Sequence, residues 1–448
     1  MRTERMLSAS FALLLCLLTA LLWPLDRAAA AGADRDVSRV LSLEDCIRLA
    51  ESSPPVIWSQ RAQHIEAEAR VEQARALPNP SFSYVAQDLG LQSTSGPLLL
   101  HQVMVGFAPL AALLRIQESR AACAGRAQAL AAAREDLRLL RTAVGQTFYD
   151  LRLRRKLHQA EQDSARLADQ TVSDVLIRKR NGEASGLDVV RAQAEALDAH
   201  RTAVRSEHQL VLAELAFSIL LGATSPQRIQ LVNEGPDIST DADITAALPA
   251  PLAAELTQVP AHNPQARIAA LIRFAQRHRP ALQRIAAEQL QATEQRRLST
   301  LQALPLADVQ LAAGIRSSGL GIGGVVALSG SLPLFDWNLA ARHRAEAQGL
   351  RAQAQKLEAD MQIALEIESL MTEYSQARAQ RTQQALPLYQ LRSSALAMVR
   401  RLFSEGSAPL SDVVQASRDL FAAQRGLAQI ERDELVARWR LVVATGAW

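Results

Sequence analysis

The chain has 448 residues, with 49 Lys and Arg against 46 Asp and Glu and a formal net charge of +3. That near balance excludes a dedicated nucleic-acid binder, which needs a basic excess gathered on one face, so no nucleic-acid partner is expected. Hydrophobic residues are 48 %, aromatics only 4 %, with 20 Gly, 18 Pro and 3 Cys, which excludes wholesale disorder and a disulfide framework and implies a largely helical chain.

Residues 1–31 read as a secretory signal peptide. Arg2 and Arg5 give a positive start, residues 11–25 form an apolar run, and Ala28 to Ala31 offer small residues for cleavage. The run is about 15 residues, short of the roughly 20 that a spanning helix needs. Cys16 lies inside the apolar run rather than at its end, so lipidation is not expected. No later segment is long and apolar enough for a transmembrane helix. The mature chain is then either soluble outside the cytoplasm or crosses a membrane by β-strands.

The mature chain is one unit written twice. Gly182-Glu183-Ala184-Ser185-Gly186-Leu187-Asp188-Val189-Val190 aligns with Gly406-Ser407-Ala408-Pro409-Leu410-Ser411-Asp412-Val413-Val414 at an offset of 224. The same offset carries Gly222-Ala223 to Gly446-Ala447 and Pro109-Leu110 to Pro333-Leu334. Chance likeness between alanine-rich helices does not explain paired glycines at both ends of an ungapped block. The expected units are 38–223 and 265–448, joined by a linker or equatorial segment, 224–264.

Each unit opens with a helical stretch. The first runs over 44–76, interrupted at Pro54-Pro55, with Ser42 and Asp45 at capping-box spacing; the second runs over 265–304, bent near Pro280. Two short alternating stretches follow in each. Phe82 and Tyr84 alternate with Ser81 and Ser83, then Val103, Val105 and Phe107 with Gln102, Met104 and Gly106; Val309, Leu311, Ala313 and Ile315 alternate with Gln310, Ala312 and Gly314, then Val326, Leu328 and Leu332 with Ala327, Ser329 and Ser331. Period-two spacing in runs of about ten residues is the pattern of a transmembrane barrel strand. The Gly- and Ser-rich stretches 89–96 and 316–324 are expected to be loops.

A very long helix comes next, 110–180 and 337–404, and then a return helix, 187–221 and 410–444. Val190, Leu197, Val204 and Val211 recur in sevens, as do Val414, Phe421, Ala428, Leu435 and Val442. Sustained heptads mean helix-on-helix packing. About seventy helical residues reach about 100 Å.

Four strands are too few for a barrel, and open edges are not tolerated in lipid. If the strands cross a membrane, the chain must assemble; a homotrimer supplies about twelve strands.

The chain resembles the TolC-like outer membrane factors, and within them the CzcC/CusC-like heavy-metal efflux branch. The resemblance rests on Leu41-Ser42-Leu43-Glu44-Asp45-Cys46-Ile47-Arg48-Leu49-Ala50, on Ala76-Leu77-Pro78-Asn79-Pro80 and on Leu332-Pro333-Leu334-Phe335-Asp336-Trp337-Asn338, together with the two glycine-led blocks above. For the metal branch it rests on Val85-Ala86-Gln87-Asp88-Leu89-Gly90 and on Leu306-Ala307-Asp308-Val309 through the Leu332 to Asn338 turn. The resemblance implies a mainly α fold with a small β part. A long helical coiled-coil barrel would join four transmembrane strands per chain, closing a 12-stranded barrel as a homotrimer. It implies a passive duct set in outer-membrane lipid and extending into the periplasm. The duct would carry heavy-metal cations from an inner-membrane RND-type pump through a periplasmic adaptor protein, with no cofactor and no catalytic residues. A multidrug or type I secretion duct of the same fold is the alternative, and from another class, a soluble periplasmic coiled-coil adaptor or scaffold.

The resemblance implies sites at both ends. Gly182, Ser185, Gly406 and Pro409 would form the periplasmic tip that meets the adaptor. Asp188 and Asp412 would ring the aperture, or simply face the helix dipole. Pro109, Pro333, Phe335 and Asp336 mark strand-to-helix turns. The eight His are scattered, and no His, Cys, Asp and Glu set has metal-ligand spacing. Phosphate loops, nucleophile elbows and metalloprotease helices are absent from the sequence, so an enzyme is not expected.

Overall fold

A computed structural model describes residues 40–93, 96–107, 111–223, 225, 228–231, 254, 256, 263–303, 307–316, 322–330 and 337–446. The expected signal peptide, most of the 224–264 segment, and the turn residues Pro109, Pro333, Phe335 and Asp336 lie outside the described residues.

The first unit opens with β1 (Val40–Leu41) and α1 (Leu43–Glu51). Ser42 caps α1 as its spacing implies. The Ser42 hydroxyl accepts from the Asp45 amide at 3.2 Å, and the Asp45 carboxylate accepts from the Ser42 amide at 3.2 Å. Cys46 is fully buried in α1, and burial pushes its thiol up to about 12, so it stays protonated and inert. Pro54 then starts α2 (Pro54–Arg75) at the first helical turn, where its missing N–H costs nothing. Strands β2 (Ser81–Ser93) and β3 (Gly96–Phe107) lead into α3 (Ala111–Arg180), and α4 (Gly186–Leu220) returns. At 70 residues α3 is about 105 Å long.

The second unit repeats this order. After β4 (Gln230–Leu231) come α5 (Pro264–His278), α6 (Pro280–Leu301), β5 (Ala307–Arg316), β6 (Ile322–Gly330), α7 (Leu339–Gln380), α8 (Leu386–Ser404) and α9 (Leu410–Ala444). The expected single helix over 337–404 is broken by one wide π-turn, Arg381–Ala385. Pro387 is the cause. It has no N–H, and its ring would strike the carbonyl four residues back. The helix widens just before it, and Leu386 donates to the Arg381 carbonyl instead.

The sheet is antiparallel, in the order β2-β3-β5-β6. Its register aligns the alternating stretches. Phe82 pairs with Val105, Val105 with Leu311, and Leu311 with Val326. One face therefore collects Phe82, Val105, Leu311 and Val326, while Gly106, Gln310 and Ala327 share the other. The strands have 13, 12, 10 and 9 residues, enough to cross a hydrocarbon core of about 30 Å when tilted. The expected loop over 89–96 is instead mostly strand. The ladder shifts register between Asp88 and Gln92 and continues to Ser93 opposite Gly96. Likewise β5 runs through Arg316, and β6 takes in Gly323 and Gly324. Glycine and serine weaken a strand, but antiparallel partners hold their backbone groups in the ladder.

The helices form a single wall. Beside the sheet the packing order is α2-α3-α6-α7; toward the helix turns it is α4-α3-α9-α8. Each layer thus has first-unit elements at one edge and second-unit elements at the other, as the sheet does with β2 and β6. The edges are apolar and bare. Val190, Leu197 and Val204 on α4 are exposed, and so are Leu391, Met398 and Leu402 on α8.

At mid-height, two clusters of buried side chains hold the wall. In one of them Trp439 of α9 packs against α3, and its indole N–H donates to the Arg141 carbonyl at 3.1 Å. Gly145 makes this possible, since a Cβ there would overlap the indole. Each unit also carries an ion pair between its long and return helices, a half-buried arginine on a buried glutamate. Arg155 meets Glu214 at 2.9 Å in the first, and Arg381 meets Glu434 at 2.6 Å in the second.

Candidate functional site at the helical tip

The two helix–turn–helix ends are built alike. Gly182 and Gly406 follow the long helices with φ of +82° and +79°, a conformation that side-chain-bearing residues rarely adopt. In each turn two amides reach back to the last helical carbonyls. Gly182 and Glu183 donate to Lys179 and Arg178 at 3.0 and 2.9 Å; Gly406 and Ser407 donate to Phe403 and Leu402 at 3.1 and 2.8 Å.

The return helices start differently. Ser185 caps α4, and Asp188 completes a capping box. The Asp188 carboxylate accepts from the Ser185 hydroxyl at 2.7 Å and the Ser185 amide at 3.0 Å. These bonds, with the nearby charges of Arg191 and Arg178, hold the Asp188 carboxyl below its ordinary 3.8. In the second unit the cap is Pro409, which has no side-chain acceptor. Asp412 is exposed, and among the described residues its carboxylate meets only the neighbouring Ser411 hydroxyl, at 3.2 Å. The two aspartates, equal in sequence, are therefore unequal in structure. One is spent on its own helix; the other is free to present its charge.

The capping box has a testable pH signature. A carboxyl whose folded value is depressed adds stability above its unfolded value, near 3.8, and loses it as pH falls through the lower folded value. Asp188→Asn is expected to lower the melting temperature at neutral pH and to match the parent chain in strong acid. Equal melting temperatures at both ends of the titration would remove Asp188 from the cap. Ser185→Ala is expected to cost about 1 kcal/mol.

Sequence reasoning missed the residue that joins the two turns. The Arg178 guanidinium lies over the Phe403 ring, 4.4 Å from its centroid, and donates to the Phe403 carbonyl at 2.9 Å. It also faces Glu183 at 3.5 Å. Val175, Val189, Leu410 and Val413 pack beneath this contact. At the repeat offset Arg178 aligns with Leu402, so self-similarity did not mark it. A ladder of charged pairs between α9 and the first unit was also unmarked: Arg425 to Glu161 at 2.8 Å, Arg418 to Glu195 at 2.9 Å, and Arg432 to Asp150 at 2.6 Å.

Among the described residues no three His, Cys, Asp or Glu are gathered to hold a metal ion, and no helix is long and apolar enough to cross a membrane. No family model matches the chain, and no curated protein matches it. Solved structures do. The outer membrane protein VceC from Vibrio cholerae is 18 % identical, over 90 % of this chain and 96 % of that one, with a TM-score of 0.70. CusC is 16 % identical over 91 % and 92 %, with a TM-score of 0.73. The outer-membrane channel OprN is 15 % identical over 95 % and 96 %, with a TM-score of 0.70. Along nearly its whole described length, the chain has the TolC-like fold of these outer-membrane proteins.

Proposed function

We propose that the chain is the outer-membrane duct of a tripartite export system, a passive channel that performs no reaction of its own. The observation that carries this reading is the three-layer open edge. The sheet ends in β2 and β6, the wall beside it in α2 and α7, and the wall near the tip in α4 and α8. A sheet with two bare edges is not stable in lipid. The internal repeat supplies the closure. Within the chain β3 pairs with β5, α3 packs on α6, and α3 packs on α9. Shifted by one unit, the same contacts become β6 on β2, α7 on α2, and α8 on α4 of the next copy. Three chains then give twelve strands and a continuous tube. The heptad residues left bare on α4 and α8 are the surfaces this joint covers.

The tip turns face the periplasmic adaptor, and an inner-membrane RND-type pump feeds the duct. The cargo proposed is heavy-metal cations, on the resemblance of Val85 to Gly90 and Leu332 to Asn338 to the metal-efflux branch. Cations would meet the exposed Asp412 carboxylates as a ring of three, without a binding cage.

Separating inner from outer membranes of expressing cells and cross-linking each fraction tests the reading. A trimer in the outer membrane is expected; a soluble periplasmic monomer would overturn the duct in favour of a coiled-coil scaffold. In planar bilayers Asp412→Asn is expected to lower cation preference, whereas Asp188→Asn changes it less, because the neighbouring Arg178 and Arg191 charges offset that carboxylate. Equal loss in both variants would contradict the difference between the two turns.

A further inference from the structure

At the other end of the wall, where the helices meet the sheet, the side chains sort by chemistry. Phe82 and Tyr84 at the start of β2, Leu77 before it, and Trp337 before α7 are all exposed. Exposed aromatics at strand ends mark a membrane–water interface. Just beyond them, each of the four helices that feed the sheet presents an exposed arginine: Arg75 on α2, Arg120 on α3, Arg296 on α6 and Arg344 on α7; the exposed Arg297 beside Arg296 is taken by Glu294. Arg75 is the last residue of its helix, and Arg296 and Arg344 lie five residues from their helix ends, about 8 Å. Arg120 lies nine residues in, about 14 Å.

Among the described residues none of the four meets a carboxylate. Most acidic groups of this band are engaged elsewhere. Glu118 pairs with Arg115 at 2.6 Å, and Glu294 pairs with Arg297 at 2.7 Å. Glu294 is also buried against Gln117, so α6 turns its acid inward and, two residues on, its Arg296 outward. Glu346 lies 4.0 Å from His343. Glu72, three residues before Arg75, is exposed and has no ion pair among the described residues. The underlying joint is rigid, since Asn338 Nδ2 donates to the Ser299 carbonyl at 3.0 Å and ties the start of α7 to the end of α6.

We propose that Arg75, Arg120, Arg296 and Arg344 form a collar that binds the phosphate headgroups of anionic phospholipids in the leaflet facing the periplasm. Guanidinium forks suit phosphate; Arg75, Arg296 and Arg344 lie within about a Debye length, ~10 Å, of the helix ends that meet the belt, and Arg120 about one turn beyond. The inference rests on the outer-membrane reading above, and the test separates the two. The purified protein is reconstituted in vesicles of phosphatidylethanolamine alone and of phosphatidylethanolamine with one quarter phosphatidylglycerol. Insertion is scored by flotation, and lipids retained after mild detergent extraction are counted by mass spectrometry.

The parent chain is expected to float with both vesicles and to retain phosphatidylglycerol severalfold above its bulk fraction. The quadruple variant Arg75→Gln, Arg120→Gln, Arg296→Gln, Arg344→Gln is expected to float equally but retain lipids in the bulk ratio. The quadruple Lys variant is expected to restore most of the enrichment. Flotation with neither vesicle would overturn the membrane reading and the collar with it. Flotation with both but no enrichment in the parent, or enrichment unchanged in the Gln variant, would overturn the collar alone.

Discussion

Replacing Gly145 with alanine is expected to destabilise the chain by about 3 kcal/mol, the upper part of the range for overpacking a close-packed site. The added methyl would occupy the space of the Trp439 indole, and neither partner can easily move. Gly145 sits in the middle of a 70-residue helix, and Trp439 is itself buried among Val144, Phe148 and Phe217. Pushing the indole out would also break its bond to the Arg141 carbonyl. Thermal melts followed by circular dichroism would show the loss. Trp439→Leu should be costly alone, through the cavity it leaves. Combined with Gly145→Ala it should be less costly than the two losses added, because the leucine leaves room for the methyl. Strict additivity would mean that the two residues do not compete for one space.

The second large effect is expected at Arg381 and Glu434. Both are nearly buried, with side chains 14 % and 7 % exposed. Arg381→Met would leave the Glu434 carboxylate buried without its partner, at a cost of about 3 to 5 kcal/mol. The double change Arg381→Met, Glu434→Leu should recover most of that loss, since apolar replacements of similar volume often match a buried pair. Denaturant melts of the four chains give the coupling directly. A double variant as unstable as Arg381→Met alone would show that the pair serves packing geometry rather than charge neutralisation. The pair also anchors the π-turn to α9. Its loss should therefore raise hydrogen exchange first in Arg381–Ala385.

The long elements were legible because their signals are local and repeated. Heptads, scarce Gly and Pro, and the glycine pair at 182 and 406 gave α3, α4 and α9 nearly to the residue. Strand positions were legible from alternation, but strand ends were not. The stretch 89–96 looks like a loop by composition, and only its pairing partner makes it a strand. The capping box at Ser42 was visible in the sequence; the one at Ser185 has the same spacing and was passed over. The π-turn that Pro387 requires has no signature of its own in the sequence. The Arg178 contact with Phe403 and the ladder from α9 join residues more than two hundred positions apart that the repeat does not align. Such contacts have no local pattern to read, and the repeat hid them by suggesting that equivalent positions do equivalent work.

The pairing of β3 with β5 also sets a timetable for synthesis. Phe107 finds its ladder partner at Val309, about 200 residues later in the chain. The β2–β3 hairpin therefore emerges with one flank unsatisfied until most of the protein has been made. Its other flank, the β2 edge, has no partner strand in the sheet of this chain and in the proposed trimer would wait longer still, for a second finished copy. During that interval the strands are sticky to any extended segment nearby. Membrane insertion before assembly would expose bare backbone to hydrocarbon. In the trimeric duct proposed above, nascent chains would have to be held unfolded, or folded only in their helical half, until three are present. Their yield in cells should depend on holding chaperones more steeply than the stability of the finished trimer would suggest.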